Sequence, residues 1–271
     1  MTAPKLFRIE HEGSARYALE SGATYRLLDG DVFDSQTPPQ QLLAAAAKTG
    51  KEVKPARVLS PVNPSKVVAI GLNYKDHAAE MNKPLPSEPL MFMKPSTAVI
   101  GPGEAIQIPP NVGEIHYEAE LGVVMGKRAT RVSADNAMEH VLGLTCLIDV
   151  TARELQRREI QYTRAKGFDT FAPVGPCIAV GLDPSALDVE GWLNGEKKQA
   201  STTRQLIFSV PQIVAFVSSV MTLLPGDVIA TGTPSGVGPL KDGDTFTVKI
   251  AGIGELSNPV QTVDGKRQTR E

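Results

Sequence analysis

The sequence predicts an α+β protein that is mainly β, and three observations carry that prediction. Short apolar runs rich in Val and Ile, bounded by glycine and proline, outnumber segments with helical periodicity. These runs do not alternate strictly with helices, which argues against a doubly wound parallel sheet. The first 58 residues also differ in texture from the rest. A small N-terminal α+β domain over residues 1–58 and a larger domain over 59–271 are therefore expected.

In chain order, Lys5–Glu10, Ala15–Leu19 and Thr24–Leu28 alternate weakly between turns at Gly13, Gly22 and Asp29-Gly30, as in an antiparallel meander. A short helix over Gln40–Lys48 should end at Gly50. Leu59-Ser60-Pro61-Val62-Asn63-Pro64 reads as a linker, and Val67-Val68-Ala69-Ile70 beyond it as a buried strand. Further strands are expected at Leu90–Met93, Ala98–Ile100, Glu118–Met125, Leu142–Asp149, Val228–Thr231 and Thr245–Ile250. Helices are expected at Asp76–Met81, Ala134–Glu139, Thr151–Arg158 and Pro211–Ser219.

Composition narrows the function classes. Lys and Arg total 28 against 30 Asp and Glu, so there is no electrostatic footprint for nucleic acid. Two cysteines, Cys146 and Cys177, form no disulfide framework and fit a reducing cytoplasm. No apolar run follows Lys5 and Arg8 as in a signal peptide. The apolar stretch Ile213–Ala230 is broken by Ser218, Ser219, Pro225, Gly226 and Asp227, which disfavours a membrane span. A soluble cytoplasmic protein with neither nucleic-acid nor membrane partners is expected.

Chemistry concentrates in a few segments. Glu118-Ala119-Glu120 enters an apolar strand, so both carboxylates should project from one face, roughly 7 Å apart. Side by side they repel, unless a cation sits between them; Mg²⁺ or Mn²⁺, which prefer carboxylate oxygens, would serve. A solvated acidic face is the competing reading. Asp149, where a strand should run out, reads either as a helix N-cap or as a third carboxylate ligand. Asn73 reads as the cap of a helix in which His77 and Glu80, three apart, share a face. A carboxylate that fixes the imidazole tautomer makes the histidine a candidate general base. Lys94 and Lys166 stand beside turn residues, where lysines are usually solvated. The turn Thr231–Gly238 is glycine-rich but matches no nucleotide-binding loop, though its N–H groups could face a carboxylate. No G-x-S-x-G elbow is present, which disfavours a serine hydrolase.

From about Ser60 onward, several motifs in order resemble the fumarylacetoacetate hydrolase superfamily, and its shorter acylpyruvase and oxaloacetate decarboxylase-like members. They are Ile70-Gly71-Leu72-Asn73-Tyr74 with His77 and Glu80, Phe92-Met93-Lys94-Pro95, Glu118-x-Glu120-Leu121, Asp149-x-Thr151-Ala152-Arg153, Lys166-Gly167-Phe168-Asp169 and Thr231-Gly232-Thr233-Pro234. The resemblance implies a mixed, rolled β-sheet fold, commonly dimeric. It implies that Glu118, Glu120 and Asp149 hold one Mg²⁺ or Mn²⁺ that chelates a 2-oxo acid. It gives Lys166 the task of stabilising a pyruvate enolate, and His77, oriented by Glu80, that of activating water. Gln156 and Thr233 would hold substrate oxygens, Arg153 would support the acidic cluster, and residues 76–89 would form a lid. The implied reactions are hydrolysis of a 2,4-dioxo acid such as an acylpyruvate or fumarylpyruvate, or decarboxylation of oxaloacetate. Isomerisation of 2-hydroxy-dienedioates on the same site is the alternative. The His77 and Glu80 pair favours the first two, and an intact acidic set argues against a binding protein without turnover.

Overall fold

The computed structural model describes residues 3–34 and 37–263. Its spine is one mixed sheet in the order Glu52–Val53, Thr24–Leu27, Ser14–Ser21, Lys5–His11, Ala172–Val180, Val141–Ile148, Ala119–Met125, Val228–Ala230, Lys66–Gly71, Leu90–Pro95. Two short strands join it from the side: Arg57–Leu59 on Lys5–His11, and Val99–Ile100 on Ala172–Val180. A five-stranded sheet, ordered Glu196–Thr202, Asp188–Leu193, Thr245–Ile250, Gly254–Thr262, Ile106–Ile108, packs across the middle of the spine. Ile115–Tyr117 pairs with Thr151–Ala152 and Gly238–Leu240 in a third, small sheet. The prediction of a mainly β, mixed-sheet protein holds.

Alternation along the central strands sorts side chains to two cores, because neighbours in a strand point to opposite faces. Leu121, Val123, Leu144 and Cys146 pack with Phe246, Val248 and Leu256 of the five-stranded sheet. Val124, Leu142, Leu147 and Ile178 pack on the other side with Leu28, Val67 and Leu43 of the helix Pro39–Thr49. Each such large apolar side chain contributes about 1.5–3 kcal/mol by leaving water. The N-terminal meander is hydrogen-bonded into this spine through Lys5↔Ala179 and Leu6↔Ile178, so the sheet runs through both parts of the chain. Among the described residues no helix is long and apolar enough to cross a membrane.

Antiparallel pairing decides where the functional side chains meet. It sets the start of Ala119–Met125 beside the end of Val141–Ile148, with Ala119 opposite Ile148. Val228–Ala230 runs antiparallel to Ala119–Met125 and parallel to Lys66–Gly71, so Val228–Ala230 and Lys66–Gly71 finish at the edge where Ala119–Met125 begins. Four segments therefore leave the sheet together: Glu118, Asp149, the Thr231–Gly238 turn and the Leu72–His77 connection. At the opposite end buried Asp227 ties the two parallel strands, accepting from Ser65 Oγ at 2.6 Å and Leu224 N at 2.8 Å and pairing with Lys66.

Several elements differ from the sequence expectation. Ala134–His140 is a 3₁₀ turn, and of Ala98–Ile100 only the last two residues are extended. The helix expected from Thr151 begins at Arg153, because Thr151 and Ala152 are drawn into pairing with Ile115 and His116. Leu59, expected in a linker, ends the strand Arg57–Leu59 that pairs with Lys5–His11. Ala172–Val180 lies at the centre of the spine despite Pro173, Gly175 and Pro176. Its ladder to the neighbouring strand is irregular there, jumping from Leu144↔Ala179 to Cys146↔Gly175, which accommodates a residue that cannot donate.

Candidate active site

Glu118 occupies a break between two strands, Ile115–Tyr117 and Ala119–Met125, which belong to different sheets. The expectation of one continuous strand was wrong in that detail. The change of direction nevertheless brings Glu118, Glu120 and Asp149 together, each offering a carboxylate oxygen within 4.8 Å of the others'. Asp149 N donates to Glu118 O at 2.9 Å, so the backbone itself joins the two ligand-bearing turns. Asp149 caps no helix, since the position before Arg153–Arg158 is Ala152.

Three cations surround the acids. Lys166 Nζ donates to Glu118 Oε2 at 2.7 Å and Asp149 Oδ2 at 2.6 Å, and Arg153 Nη2 donates to Glu118 Oε1 at 2.6 Å. Lys94, wholly buried, donates to the carbonyls of Val150 at 3.1 Å and Lys166 at 2.6 Å. Its Nζ also pairs with Asp149 Oδ1 at 2.6 Å. Burial pushes the Glu118 carboxyl up, but Lys166 and Arg153 outweigh it and hold the group well below the usual range. Glu120 goes the other way. Burial, then Asp149 and Glu118, push it well above, and the N–H of Gly232, donating at 2.8 Å, only partly opposes this. Burial also lowers Lys94, against the attraction of Asp149, whereas Asp149 and Glu118 overcome burial to raise Lys166.

These features fit a divalent cation. Three hard oxygen ligands converge, and Glu120 lacks a compensating cation of its own. With all groups charged, three carboxylates balance three cations. A dication would leave the pocket positive, which suits an anionic substrate.

His77 Nδ1 meets Glu80 Oε2 at 2.8 Å, and Glu80 Oε1 accepts from Gly236 N at 3.0 Å. The pair is thus pinned to the glycine-rich turn. Glycine is required in that turn: Gly236 has φ +93, and a Cβ there would lie 2.2 Å from Lys198 O. Asn73 does not cap the helix Lys75–Glu80; Tyr74 occupies that position. Instead the buried Asn73 amide donates to Thr231 O at 2.8 Å and Phe208 O at 3.1 Å and accepts from Phe208 N at 2.8 Å. It staples three loops, next to Leu72 at the unusual φ of 49.

All nine residues singled out from the sequence, His77, Glu80, Glu118, Glu120, Asp149, Arg153, Gln156, Lys166 and Thr233, line one cavity of about 460 Å³. Gln156 Oε1 accepts from Arg153 Nη1 at 2.7 Å, which orients its amide N–H groups as donors. The Thr233 hydroxyl is committed otherwise. It donates to Ala119 O at 2.9 Å and accepts from Gln199 Nε2 at 2.9 Å, so the Thr233 backbone N–H is what it can offer an anion. From the residues alone Lys94 reads as a solvated lysine beside a turn, but it is buried; Gln199, also buried, drew no reading, and His116, which lies in the cavity wall, was given no role. No local signal marks Lys94: it follows an apolar run and precedes a proline, as many solvated lysines do.

Comparison with known proteins places this geometry. A family model described as fumarylacetoacetate (FAA) hydrolase C-terminal matches residues 66–261. The bovine mitochondrial oxaloacetate tautomerase FAHD2A is 37% identical over 282 residues, spanning 94% of this chain and 90% of its own. The crystal structure of 2-hydroxyhepta-2,4-diene-1,7-dioate isomerase from Mycobacterium marinum is 40% identical, with TM-score 0.84 over 96% of this chain and 98% of that one. Maleylpyruvate hydrolase from Sphingobium is 30% identical, with TM-score 0.81 over 96% and 100%. The chain belongs to the fumarylacetoacetate hydrolase family.

Proposed function

We propose that the protein is a divalent-metal-dependent enzyme that hydrolyses a carbon–carbon bond in a 2,4-dioxo acid, an acylpyruvate, releasing pyruvate and a carboxylic acid. The observation that carries this is the 2.8 Å contact of His77 Nδ1 with Glu80 Oε2 in the same cavity as the acidic cluster. It frees Nε2 as a base. Held by Glu118, Glu120 and Asp149, Mg²⁺ or Mn²⁺ would supply Lewis-acid stabilisation of the substrate's 2-oxo end.

The residues of the chain do the rest. Gln156 N–H and Thr233 N–H bind the carboxylate. His77 Nε2 takes a proton from water, whose oxygen bonds to the carbonyl carbon C4. The C3–C4 bond breaks, and its electron pair passes to C3 and the 2-oxo oxygen as an enolate. Lys166 Nζ, with two protons on Glu118 and Asp149, has a third for that oxygen as its charge grows. The proton held by His77 then goes to C3.

A second reading needs the same groups and no attacking water. His77 would move a proton between C3 and the substrate's 2-oxygen, interconverting keto and enol or isomerising a diene; for oxaloacetate, loss of CO₂ would leave the same pair at C3. The bovine tautomerase and the M. marinum isomerase favour this reading. A panel of 2,4-dioxo acids, oxaloacetate and 2-hydroxy-dienedioates, assayed with Mg²⁺ and Mn²⁺, separates the two. Pyruvate and a carboxylic acid released from the dioxo acids support hydrolysis. Turnover confined to the dienes, or to keto–enol exchange, overturns it in favour of the second reading. Homodimerisation belongs to the same proposal, supported by apolar side chains left exposed at Leu90, Met93 and Ile160. A stable, fully active monomer at micromolar concentration in light scattering would remove it.

A further inference from the structure

The cations of the cavity fall into two sets. Lys94, Lys166 and Arg153 lie deep and are engaged with Asp149 and Glu118. Arg157 and Lys83 line the same cavity and make no ion pair or side-chain hydrogen bond among the described residues. Arg157 stands at the exposed rim, where it helps to lower the Glu114 carboxyl, on which His116 acts more strongly.

Helical spacing places Arg157. Arg153, Gln156 and Arg157 sit at i, i+3 and i+4 of the helix Arg153–Arg158, so they share the face that lines the cavity. Arg157 is displaced about 6 Å along the axis from Arg153, whose guanidinium holds Glu118. A substrate whose 2-oxo acid end lies at the acidic cluster would therefore extend past Gln156 to Arg157. Lys83 adds a second positive charge to the cavity wall. A free guanidinium offers a planar fork that matches a carboxylate, whereas a neutral acyl tail would leave it unused.

We infer that the substrate is a 2-oxo diacid whose second carboxylate is bound by Arg157, which makes Arg157 the specificity-determining residue of the site. This rests on the 2-oxo acid reading above and narrows it to substrates charged at both ends. Lys83 reinforces the attraction without the bidentate geometry.

The test uses uncleavable ligands, so that it does not depend on turnover. Binding of 2-oxoglutarate and 2-oxopentanoate, and of the six-carbon pair 2-oxoadipate and 2-oxohexanoate, is measured by calorimetry on the Mg²⁺- or Mn²⁺-loaded protein. Within each pair only the far carboxylate differs. The wild type is expected to bind the diacid about 10–100-fold more tightly in at least one pair, as charge-assisted hydrogen bonds imply. Arg157→Gln should erase that preference and leave the monoacid affinity within about twofold, Arg157→Lys should retain part of it, and Lys83→Gln should reduce it less. Equal affinity for monoacid and diacid in the wild type overturns the inference, as does Arg157→Gln weakening both alike. If neither acid binds the loaded wild type, the 2-oxo acid reading falls and this inference with it. Monoacid binding without diacid preference removes only the second carboxylate.

Discussion

The two walls of the cavity are built differently. On the sheet side, Glu118, Glu120, Asp149, Lys94 and Lys166 are buried, charged and almost completely cross-linked. On the opposite side, the helix Lys75–Glu80 and the residues after it include Met81 and Leu85, 46% and 55% exposed, and meet the rest through few bonds, chiefly Glu80 to Gly236 and Asp76 to Ser201. Buried charges survive only when paired, so the sheet side is rigid and tolerates little change. The side that carries Lys75–Glu80 is tied by fewer bonds, as a wall that opened to admit substrate would need to be. Binding machinery and base therefore lie on supports of unequal stiffness.

The largest effect should come from the rigid wall. Glu120→Gln keeps the shape and removes one ligand charge, so activity should fall by about a thousandfold or more. The thermal stabilisation given by Mg²⁺ or Mn²⁺, about 2.7 kcal/mol when the ion is at a hundredfold its Kd, should largely vanish. The chelated protein gives a test of opposite sign. Glu120 has a raised folded-state pKa, so the folded protein holds its proton longer than the unfolded chain, and the wild type loses stability as pH rises from about 4.3 through that raised value. Metal-free Glu120→Gln should therefore be more stable than metal-free wild type at pH 7, by thermal melts. Glu118, depressed in the fold, contributes stability above its unfolded pKa that is lost as pH falls toward the depressed value. Metal-free Glu118→Gln should therefore be less stable at pH 7. Equal destabilisation by both substitutions would contradict the electrostatic contrast between them.

His77→Ala tests the more loosely tied wall. Loss of a general base should lower acylpyruvate hydrolysis by about 10²–10⁴-fold. The fold should be indifferent, because His77 makes few side-chain bonds beyond Glu80, and metal-dependent stabilisation should persist. Decarboxylation of oxaloacetate, needing no attacking water, should suffer less. Equal and negligible loss on both substrates would remove His77 from the mechanism.

How far this division could be read in advance follows from the residues. Glu118 with Glu120, and His77 with Glu80, are legible because their spacing in the chain is short and their chemistry is unusual for an apolar setting, whereas Asp149, 29 residues beyond Glu120, reads equally as a helix cap and joins them only through the family resemblance. Lys94 and Gln199 are not legible, because their roles depend on partners 55 and 34 residues away, at Asp149 and Thr233. Ala172–Val180 hides behind its own prolines, and Glu196–Thr202, with Glu196, Lys197 and Lys198, reads as surface although Gln199 points inward. The break at Glu118 that makes the three carboxylates converge is set by which sheet each neighbour joins, and no local pattern encodes that.

The smallest expected effect falls on the link between the walls. Glu80 receives one bond from His77 through Oε2 and one from Gly236 N through Oε1, so its carboxylate serves two donors at once. Glu80→Gln has a single acceptor oxygen and an amide NH2 that only donates. It can satisfy Gly236 or His77, and in either case an N–H is turned toward the other donor. Losing one charge-assisted hydrogen bond corresponds to about 1.5–3 kcal/mol, or roughly 10–100-fold in hydrolysis, less than the loss of His77 itself. Because the anchor to the turn weakens with it, KM should rise together with the fall in kcat, whereas His77→Ala should act mainly on kcat. Steady-state kinetics on one acylpyruvate distinguishes the two variants. A Glu80→Gln enzyme with unchanged KM would mean that Glu80 only orients the imidazole and that the lid is held by other contacts, Asp76 to Ser201 first among them.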